Sequence, residues 1–259
     1  MAEKTAFNRL KPCARGMMVY NINDTYIGRS LDLYGEYSEG EVELFARYIK
    51  PGDMVLDIGA NIGVFTVFFA KTVGETGAVI AFEPQRLIFQ SLCANVALNS
   101  LTNVLCWQQA VGEAKGSIVV PLLDQTKPNN FGGVALGGWE TGETIPLVTI
   151  DDLNLPQCDF MKIDVEGMER KVLFGARDTI RRHQPVLYVE NDRPEEAAGL
   201  LKLLGELDYR MYQHQPPLFR PDNFTGHREN VFGDIVSGNV LCLHKSFKSE
   251  PGGAELVAL

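Results

Sequence analysis

Positive charge and long apolar runs are both scarce in this sequence. Its 259 residues include 24 lysines and arginines against 33 aspartates and glutamates, a net charge of −9. Nucleic-acid-binding proteins owe much of their affinity to basic side chains on phosphates, so this acidic balance predicts no nucleic-acid partner. The longest apolar stretch, 64–70, is interrupted by Thr66. It is far shorter than the roughly 20 residues that cross a bilayer, so we predict no membrane partner either.

Cysteine is also sparse, with five residues and no Cys-x-x-Cys spacing. An odd number of unclustered cysteines is typical of reduced thiols in a cytosolic protein. The first twelve residues lack the apolar core of a signal peptide, so we expect a cytoplasmic location. The hydrophobic fraction of 45% is sufficient, at this length, for one large core without a metal or disulfide staple.

Short β-branched segments alternate with helical ones between residues 51 and 191. Five segments have the character of buried strands: 54–59, 78–84, 103–112, 160–167 and 185–192. Strands separated by helices pair in parallel through right-handed crossovers, which predicts an open α/β sheet. Residues 113–150 contain a further strand pair around a long loop. Two strands after Leu207 lack a helix between them, which predicts an antiparallel hairpin at one sheet edge.

The sharpest local signal is the turn DIGANIG, residues 57–63, directly after the first predicted strand. Ligands of open α/β sheets bind at the carboxyl ends of the strands, where glycines let them approach the backbone. The dinucleotide pattern Gly-x-Gly-x-x-Gly would need glycines at Asn61 and Val64, so no pyrophosphate cradle is present. Glu83 ends the second strand, where a carboxylate can accept hydrogen bonds from both hydroxyls of a ribose. A plain strand–helix turn is the alternative interpretation.

Four segments, DIGANIGVFTVFFA, AFEP, TIDDL and KIDVEGMERKVLFGA, resemble the FkbM family of S-adenosylmethionine-dependent methyltransferases. The resemblance covers about residues 30–245. It implies a class I, Rossmann-like fold of seven mostly parallel strands in the order 3-2-1-4-5-7-6. Helices cover both faces, and a β insertion separates strands 3 and 4. The implied domain spans 46–247, between an N-terminal cap (1–45) and a tail (248–259).

The resemblance also implies which residues hold S-adenosylmethionine as the cofactor. The methionine and ribose would lie against Asp57, Gly59, Ala60, Asn61 and Gly63. The ribose hydroxyls would be held by Glu83, the adenine would contact Ala110 and Val111, and the methionine ammonium would meet Glu39.

Oxygen-bearing side chains follow the fourth and fifth predicted strands. Asp164 and Glu166 alternate along one strand, and Glu190 and Asn191 end the next. We expect these four candidate catalytic residues to converge beside the cofactor. The set is similar to the metal site of catechol-type O-methyltransferases, which implies a divalent cation such as Mg²⁺ on Asp164, Glu190 and Asn191. The alternatives are a general base at Asp164 or Glu166, or Asp164 as a cofactor contact or helix cap, with Glu190 paired to Arg193.

Three classes of function compete on these observations. The first is a methyltransferase acting on a hydroxyl of a small molecule, natural product or sugar, with a small-molecule or glycan acceptor as its partner. The second is a Rossmann-type NAD(P) oxidoreductase, which the missing glycines disfavour. The third is a non-catalytic interaction protein with the same fold. Within the loop 124–143, the run 129–133 is interpreted as a substrate lid or as a solvated loop.

Overall fold

The computed structural model describes residues 6–248 and 256–259. The strands are β1 (Asn8–Cys13), β2 (Gly16–Asn21), β3 (Met54–Ile58), β4 (Ala78–Phe82), β5 (Val104–Trp107), β6 (Ala110–Val111), β7 (Gly116–Val120), β8 (Glu143–Val148), β9 (Phe160–Ile163), β10 (Val186–Glu190), β11 (Tyr209–His214), β12 (Asn239–His244) and β13 (Leu256–Ala258). The α-helices are α1 (Ile27–Tyr34), α2 (Glu39–Tyr48), α3 (Val64–Val73), α4 (Arg86–Leu98), α5 (Glu169–Phe174), α6 (Arg177–His183) and α7 (Pro194–Glu206). A 3₁₀ turn spans Asp151–Leu153.

The central sheet has the spatial order β13-β11-β12-β10-β9-β3-β4-β5. Strands β5, β4, β3, β9 and β10 pair in parallel, whereas β12, β11 and β13 join antiparallel. The mostly parallel α/β sheet is therefore confirmed, and so is the late hairpin. Without β13, the strands counted along the chain lie in the order 3-2-1-4-5-7-6.

The predicted number of seven strands is one too few, because β13 pairs with β11 at the sheet edge. A three-residue edge strand is held by backbone hydrogen bonds and leaves no periodic pattern in the sequence. The strand lies in the segment 248–259 that the sequence assigns to a tail. Residues 249–255 of that segment lie outside the described residues.

The third predicted strand, 103–112, is two strands in the structure. The backbone N–H of Gln109 donates to Trp107 O over 2.9 Å, and this turn ends β5. Strand β6 then leaves the central sheet and pairs with β8, which forms a small sheet in the order β6-β8-β7. The β insertion is thus present, and it begins earlier than the pattern indicated.

Helices pack on both faces of the central sheet, as the alternation of side chains along β3 shows. Leu56 belongs to one buried cluster, which includes residues of α5, α6 and α7. Its neighbour Val55 belongs to a second cluster, with Phe45 of α2 and Phe69 of α3. Successive strand side chains point to opposite faces, so each face has its own core. None of the helices in the described ranges is long and apolar enough to cross a membrane.

The described part of the predicted cap, 6–45, forms the β1–β2 hairpin, α1 and the first residues of α2. Two amide side chains of α4 hold the hairpin. Asn95 accepts from Val19 N (2.7 Å) and donates to Val19 O (3.1 Å). Asn99 likewise accepts from Met17 N (3.1 Å) and donates to Met17 O (2.8 Å). The cap is thereby fixed to the helix that follows β4.

Candidate active site

A cavity of about 270 Å³ lies at the carboxyl ends of β3, β4, β9 and β10. The turn after β3 forms one wall, with Gly59, Ala60 and Asn61. Further walls come from the cap, from the loop 130–133 and from the segment 235–238. This is the edge at which open α/β sheets bind their ligands, so the cavity is the candidate active site.

The backbone conformation of the turn explains why glycine occupies positions 59 and 63. Gly59 has φ +80°, and a Cβ there would lie 1.7 Å from the carbonyl oxygen of Asp164. Gly63 has φ +84°, and its Cβ would lie 2.6 Å from Leu92. Gly59 therefore permits the close approach of the turn to the end of β9. Gly63 packs against α4 and does not belong to the cavity lining of the described chain.

Glu83 lies where the sequence predicts, at the end of β4 and in the cavity wall. It is 4% exposed, and its two oxygens accept the backbone N–H groups of Asn61 (3.0 Å) and Gln85 (2.8 Å). Burial raises its pKa to about 7, against an ordinary 4.5, although these hydrogen bonds oppose the shift. The carboxylate is fixed in direction and ties the glycine turn to β4.

Several predicted cofactor residues lie away from the cavity. Within the described structure, Asp57 is fully buried beneath the turn and accepts a hydrogen bond from Thr66 Oγ1 at 2.5 Å. Glu39 forms an ion pair with Arg15. Ala110 and Val111 line a small hollow beside Phe82 and Met168, which shares Gly59 with the cavity. The structure thus brings Gly59, Ala60, Asn61 and Glu83 to the cavity, and leaves Glu39, Asp57, Gly63, Ala110 and Val111 outside its lining.

A buried lysine connects the turn to the carboxylates of β9. Lys162 is 3% exposed, and its Nζ donates to Asp164 Oδ2 (2.9 Å) and to Gly59 O (3.3 Å). Asp57 Oδ1 lies 3.8 Å from the same Nζ and has no hydrogen-bond partner among the described residues. Burial lowers the pKa of Lys162, but the neighbouring Asp164 and Asp57 outweigh it and raise the pKa above its ordinary value.

Three of the four predicted catalytic residues converge. Asp164, Glu166 and Glu190 each place a carboxylate oxygen within 4.8 Å of the others, and all three line the cavity. Asn191 is not among the described residues that line the cavity, and its backbone N–H donates to Gly238 O. The metal trio of Asp164, Glu190 and Asn191 stays a prediction.

Two members of the carboxylate cluster (Asp164, Glu166 and Glu190) have a cation partner among the described residues, and Glu190 has none. Arg193 Nη2 donates to Glu166 at 2.6 Å, so the alternative in which Arg193 pairs with Glu190 is wrong. Glu190 Oε2 is buried and finds no hydrogen-bond partner within the described residues. Burial raises the pKa of Glu166 to about 7. Burial, together with the charges of Asp164 and Glu166, raises the pKa of Glu190 well above its ordinary value.

Glu41 is not among the residues predicted from the sequence, yet it lines the cavity from α2 and is 3% exposed. A signal existed, because Glu41 lies one helical turn before Phe45, a fully buried core residue. Positions four apart share one face of a helix, so Glu41 must also face the sheet.

The loop 124–143 is anchored where it meets the cavity. Asn129 N donates to Asn23 O, and Thr25 N donates to Asn129 O, both at 3.0 Å. Phe131 is fully buried, and its carbonyl accepts from Gln85 Nε2 at 2.8 Å. These contacts favour a fixed wall over a lid for 129–131, whereas most of 134–142 is exposed.

We expect the unliganded protein to lose stability as the pH rises from 5 to 8. Glu83 and Glu166 have a pKa of about 7 in the folded state against 4.5 when exposed. Their contribution is full below 4.5 and is lost as the pH rises to about 7, because the unfolded chain releases these protons first. Melting temperatures at four pH values would check this. Glu166→Gln, which cannot titrate, should show a smaller decline, and equal slopes in both proteins would contradict the assignment.

The chain is similar in sequence to known methyltransferases. Residues 57–211 match the family model described as "Methyltransferase FkbM domain". The chain is 28% identical over 203 residues to 31-O-demethyl-FK506 methyltransferase FkbM of Streptomyces tacrolimicus, covering 66% of this chain and 78% of that protein. It is 26% identical over 209 residues to the hexuronic acid methyltransferase AglP of Haloferax volcanii, covering 79% and 82%.

Among solved structures, the chain resembles methyltransferase FkbM from Methylobacillus flagellatus, with a TM-score of 0.51 and 22% identity. The match covers 74% of this chain and spans 43% of that one.

Proposed function

Because the chain belongs to the FkbM family of S-adenosylmethionine-dependent methyltransferases, we propose that it methylates a hydroxyl of a small molecule, natural product or sugar. The observation that carries the proposal is one cavity that joins a ribose-type carboxylate, Glu83, to the carboxylate cluster. The names of two relatives support an oxygen acceptor, since one specifies 31-O-demethyl-FK506 and the other a hexuronic acid.

The donor side of the cavity fits S-adenosylmethionine in its charge and its polar groups. Six carboxylates line the cavity, and Lys162 is the only cation among the described lining residues, which suits a positively charged sulfonium. When bound, the cofactor supplies an electrophilic methyl group. Gly59, Ala60 and Asn61 provide the backbone against which it lies, and Glu83 accepts the ribose hydroxyls.

The acceptor side lies at the carboxylate cluster. As the acceptor oxygen bonds to the methyl carbon, the bond from that carbon to sulfur would break and release S-adenosylhomocysteine. The hydroxyl must lose its proton in the same step, and a positioned carboxylate can take that proton. Asp164, held by Lys162, orients the hydroxyl, while Glu166, with a pKa raised to about 7, suits a proton acceptor near neutral pH. Proton uptake by the carboxylate cluster is the first candidate mechanism.

A divalent cation on the carboxylate cluster is the second candidate. Oxygen atoms within 4.8 Å of one another can share one Ca²⁺, whose ligands lie at about 2.3–2.6 Å. Mg²⁺ ligands lie at about 2.0–2.1 Å, so Mg²⁺ would require the three side chains to draw closer. Lys162 and Arg193 already neutralise two of the carboxylates, which favours the first candidate.

A ligand panel tests the proposal. S-adenosylmethionine and its demethylated product, S-adenosylhomocysteine, should raise the melting temperature of the wild-type protein, whereas NAD and NADP should not. Glu83→Gln should bind S-adenosylhomocysteine about 10- to 100-fold more weakly in calorimetry, since the amide replaces a charge-assisted acceptor. Glu75→Gln, at an exposed position, is the control and should bind as the wild type does.

The other outcomes of the panel separate the competing functions. Stabilisation by NAD or NADP alone would support the oxidoreductase. The absence of any stabilisation would support the non-catalytic interaction protein.

A further inference from the structure

Glu41 is a buried carboxylate in the cavity wall that neither the glycine turn nor the carboxylate cluster includes. It projects from α2, is 3% exposed and lines the same cavity as Gly59 and Lys162. A buried carboxylate is costly unless it is well hydrogen-bonded or faces a positive partner. The hydrogen-bond donors and the charges around Glu41 therefore indicate which ligand group it can bind.

Three neutral groups fix the direction of the Glu41 carboxylate. Its Oε1 accepts hydrogen bonds from Asn239 Nδ2 (2.8 Å), Tyr188 Oη (3.0 Å) and Ser237 Oγ (3.3 Å). Behind it, Tyr188 Oη lies 2.8 Å from His214 Nδ1. One oxygen atom thus accepts from three segments: β10, β12 and Ser237, which lies two residues before β12. Burial raises the pKa of Glu41 above its ordinary value, and donors of this kind oppose that shift because they favour the ionised form of a carboxylate.

Most other carboxylates near the cavity already have a cation beside them. Lys162 donates to Asp164, Arg193 to Glu166, and Arg15 pairs with Glu39. Glu83 has backbone N–H donors and is the carboxylate for the ribose. Glu190 belongs to the carboxylate cluster at the acceptor side. Glu41 remains as the pre-oriented negative group whose hydrogen-bond partners in the described structure are all uncharged.

S-adenosylmethionine carries a second positive group besides its sulfonium, the ammonium of its methionine end. An ammonium has three N–H donors and no acceptor, and it binds most strongly to a carboxylate in a water-poor site. We propose that Glu41 binds this ammonium, an inference that rests on the proposed function. Glu41 then takes the role that the sequence suggested for Glu39, which lies two residues earlier and faces Arg15.

Two ligands that differ in the methionine end test the assignment. S-adenosylhomocysteine carries the ammonium, whereas 5′-methylthioadenosine keeps the nucleoside and the sulfur but lacks the amino-acid end. Glu41→Gln retains an oxygen that can accept the same hydrogen bonds and loses the charge. By calorimetry it should bind S-adenosylhomocysteine about 10- to 100-fold more weakly than the wild type and bind 5′-methylthioadenosine equally well.

Glu39→Gln is the matched control in the same helix and should leave the affinities for both ligands unchanged. Equal loss of both ligands in Glu41→Gln would show that Glu41 only supports the structure of the cavity, and undiminished S-adenosylhomocysteine binding would exclude an ammonium contact. Either result overturns the inference while wild-type binding still upholds the proposed function. Failure of the wild type to bind S-adenosylhomocysteine would overturn the proposed function itself.

Discussion

Asp164→Asn is expected to lower kcat by roughly 100- to 10,000-fold, the range typical of groups that assist proton transfer. Asp164 is the member of the carboxylate cluster that is fixed by Lys162 at 2.9 Å, and it faces the cavity. An asparagine keeps an oxygen for Lys162 but cannot orient a hydroxyl with a full charge for proton transfer to the rest of the cluster. The affinity for S-adenosylhomocysteine should change by no more than about three-fold, because the lost interaction acts mainly in the transition state.

Steady-state kinetics and calorimetry on the same preparation check both parts of this prediction. Asp152→Asn is the control, because Asp152 pairs with Lys115 on the surface, outside the cavity. An Asp164→Asn enzyme with unchanged kcat would contradict a role at the acceptor. A large loss of cofactor affinity without a loss of kcat would instead place Asp164 at the donor.

Treatment with EDTA separates the two candidate mechanisms of the carboxylate cluster. If the cluster takes the proton itself, wild-type activity should be indifferent to the chelator. Activity that is lost with EDTA and restored by Mg²⁺ or Ca²⁺ would establish the metal candidate, in which the ion lowers the pKa of the acceptor hydroxyl.

Lys162→Met is expected to lower the free energy of unfolding by about 3–5 kcal/mol, the cost of removing one partner of a buried ion pair. Methionine has a similar length and fills the space over the Phe65 ring, so the main loss is the charge. Asp57, which is fully buried, would then face Asp164 without a cation between them. The loss should shrink at low pH, where Asp57 can take up a proton.

A second lysine provides a matched control for urea unfolding. Lys115 Nζ also lies 2.9 Å from a carboxylate oxygen, that of Asp152, but the two side chains are 67% and 39% exposed. Lys115→Met should cost less than about 1 kcal/mol, because water screens an exposed pair. Equal losses in the two variants would show that burial adds nothing to the role of Lys162.

The candidate site is predictable from the sequence where its residues end parallel strands. It is not predictable where side chains from distant segments meet. The carboxyl ends of parallel strands share one edge, and this rule brought Glu83, Asp164 and Glu190 to the cavity. The rule ends with the strand. β10 stops at Glu190, beyond which side-chain alternation no longer holds, and Asn191 is not among the described residues that line the cavity.

Other parts of the site depend on packing that no local pattern records. Glu166 has φ +56°, a conformation that strand periodicity does not anticipate. Glu41 reaches the cavity because α2 crosses the ends of β10 and β12, which lie about 150 and 200 residues further along the chain. The helical period of α2 does not choose between Glu39 and Glu41, since each lies about one turn before a core residue, Val42 and Phe45 respectively.

The two asparagines of α4 have a consequence for how the protein behaves among copies of itself. A two-stranded hairpin exposes a row of unpaired backbone groups, and such a row recruits strands from other molecules. Asn95 and Asn99 each offer one donor and one acceptor to a residue of β2, as a neighbouring strand would. The side chains of a helix thus complete the hairpin, and the backbone of Met17 and Val19 is closed to intermolecular β-sheet growth.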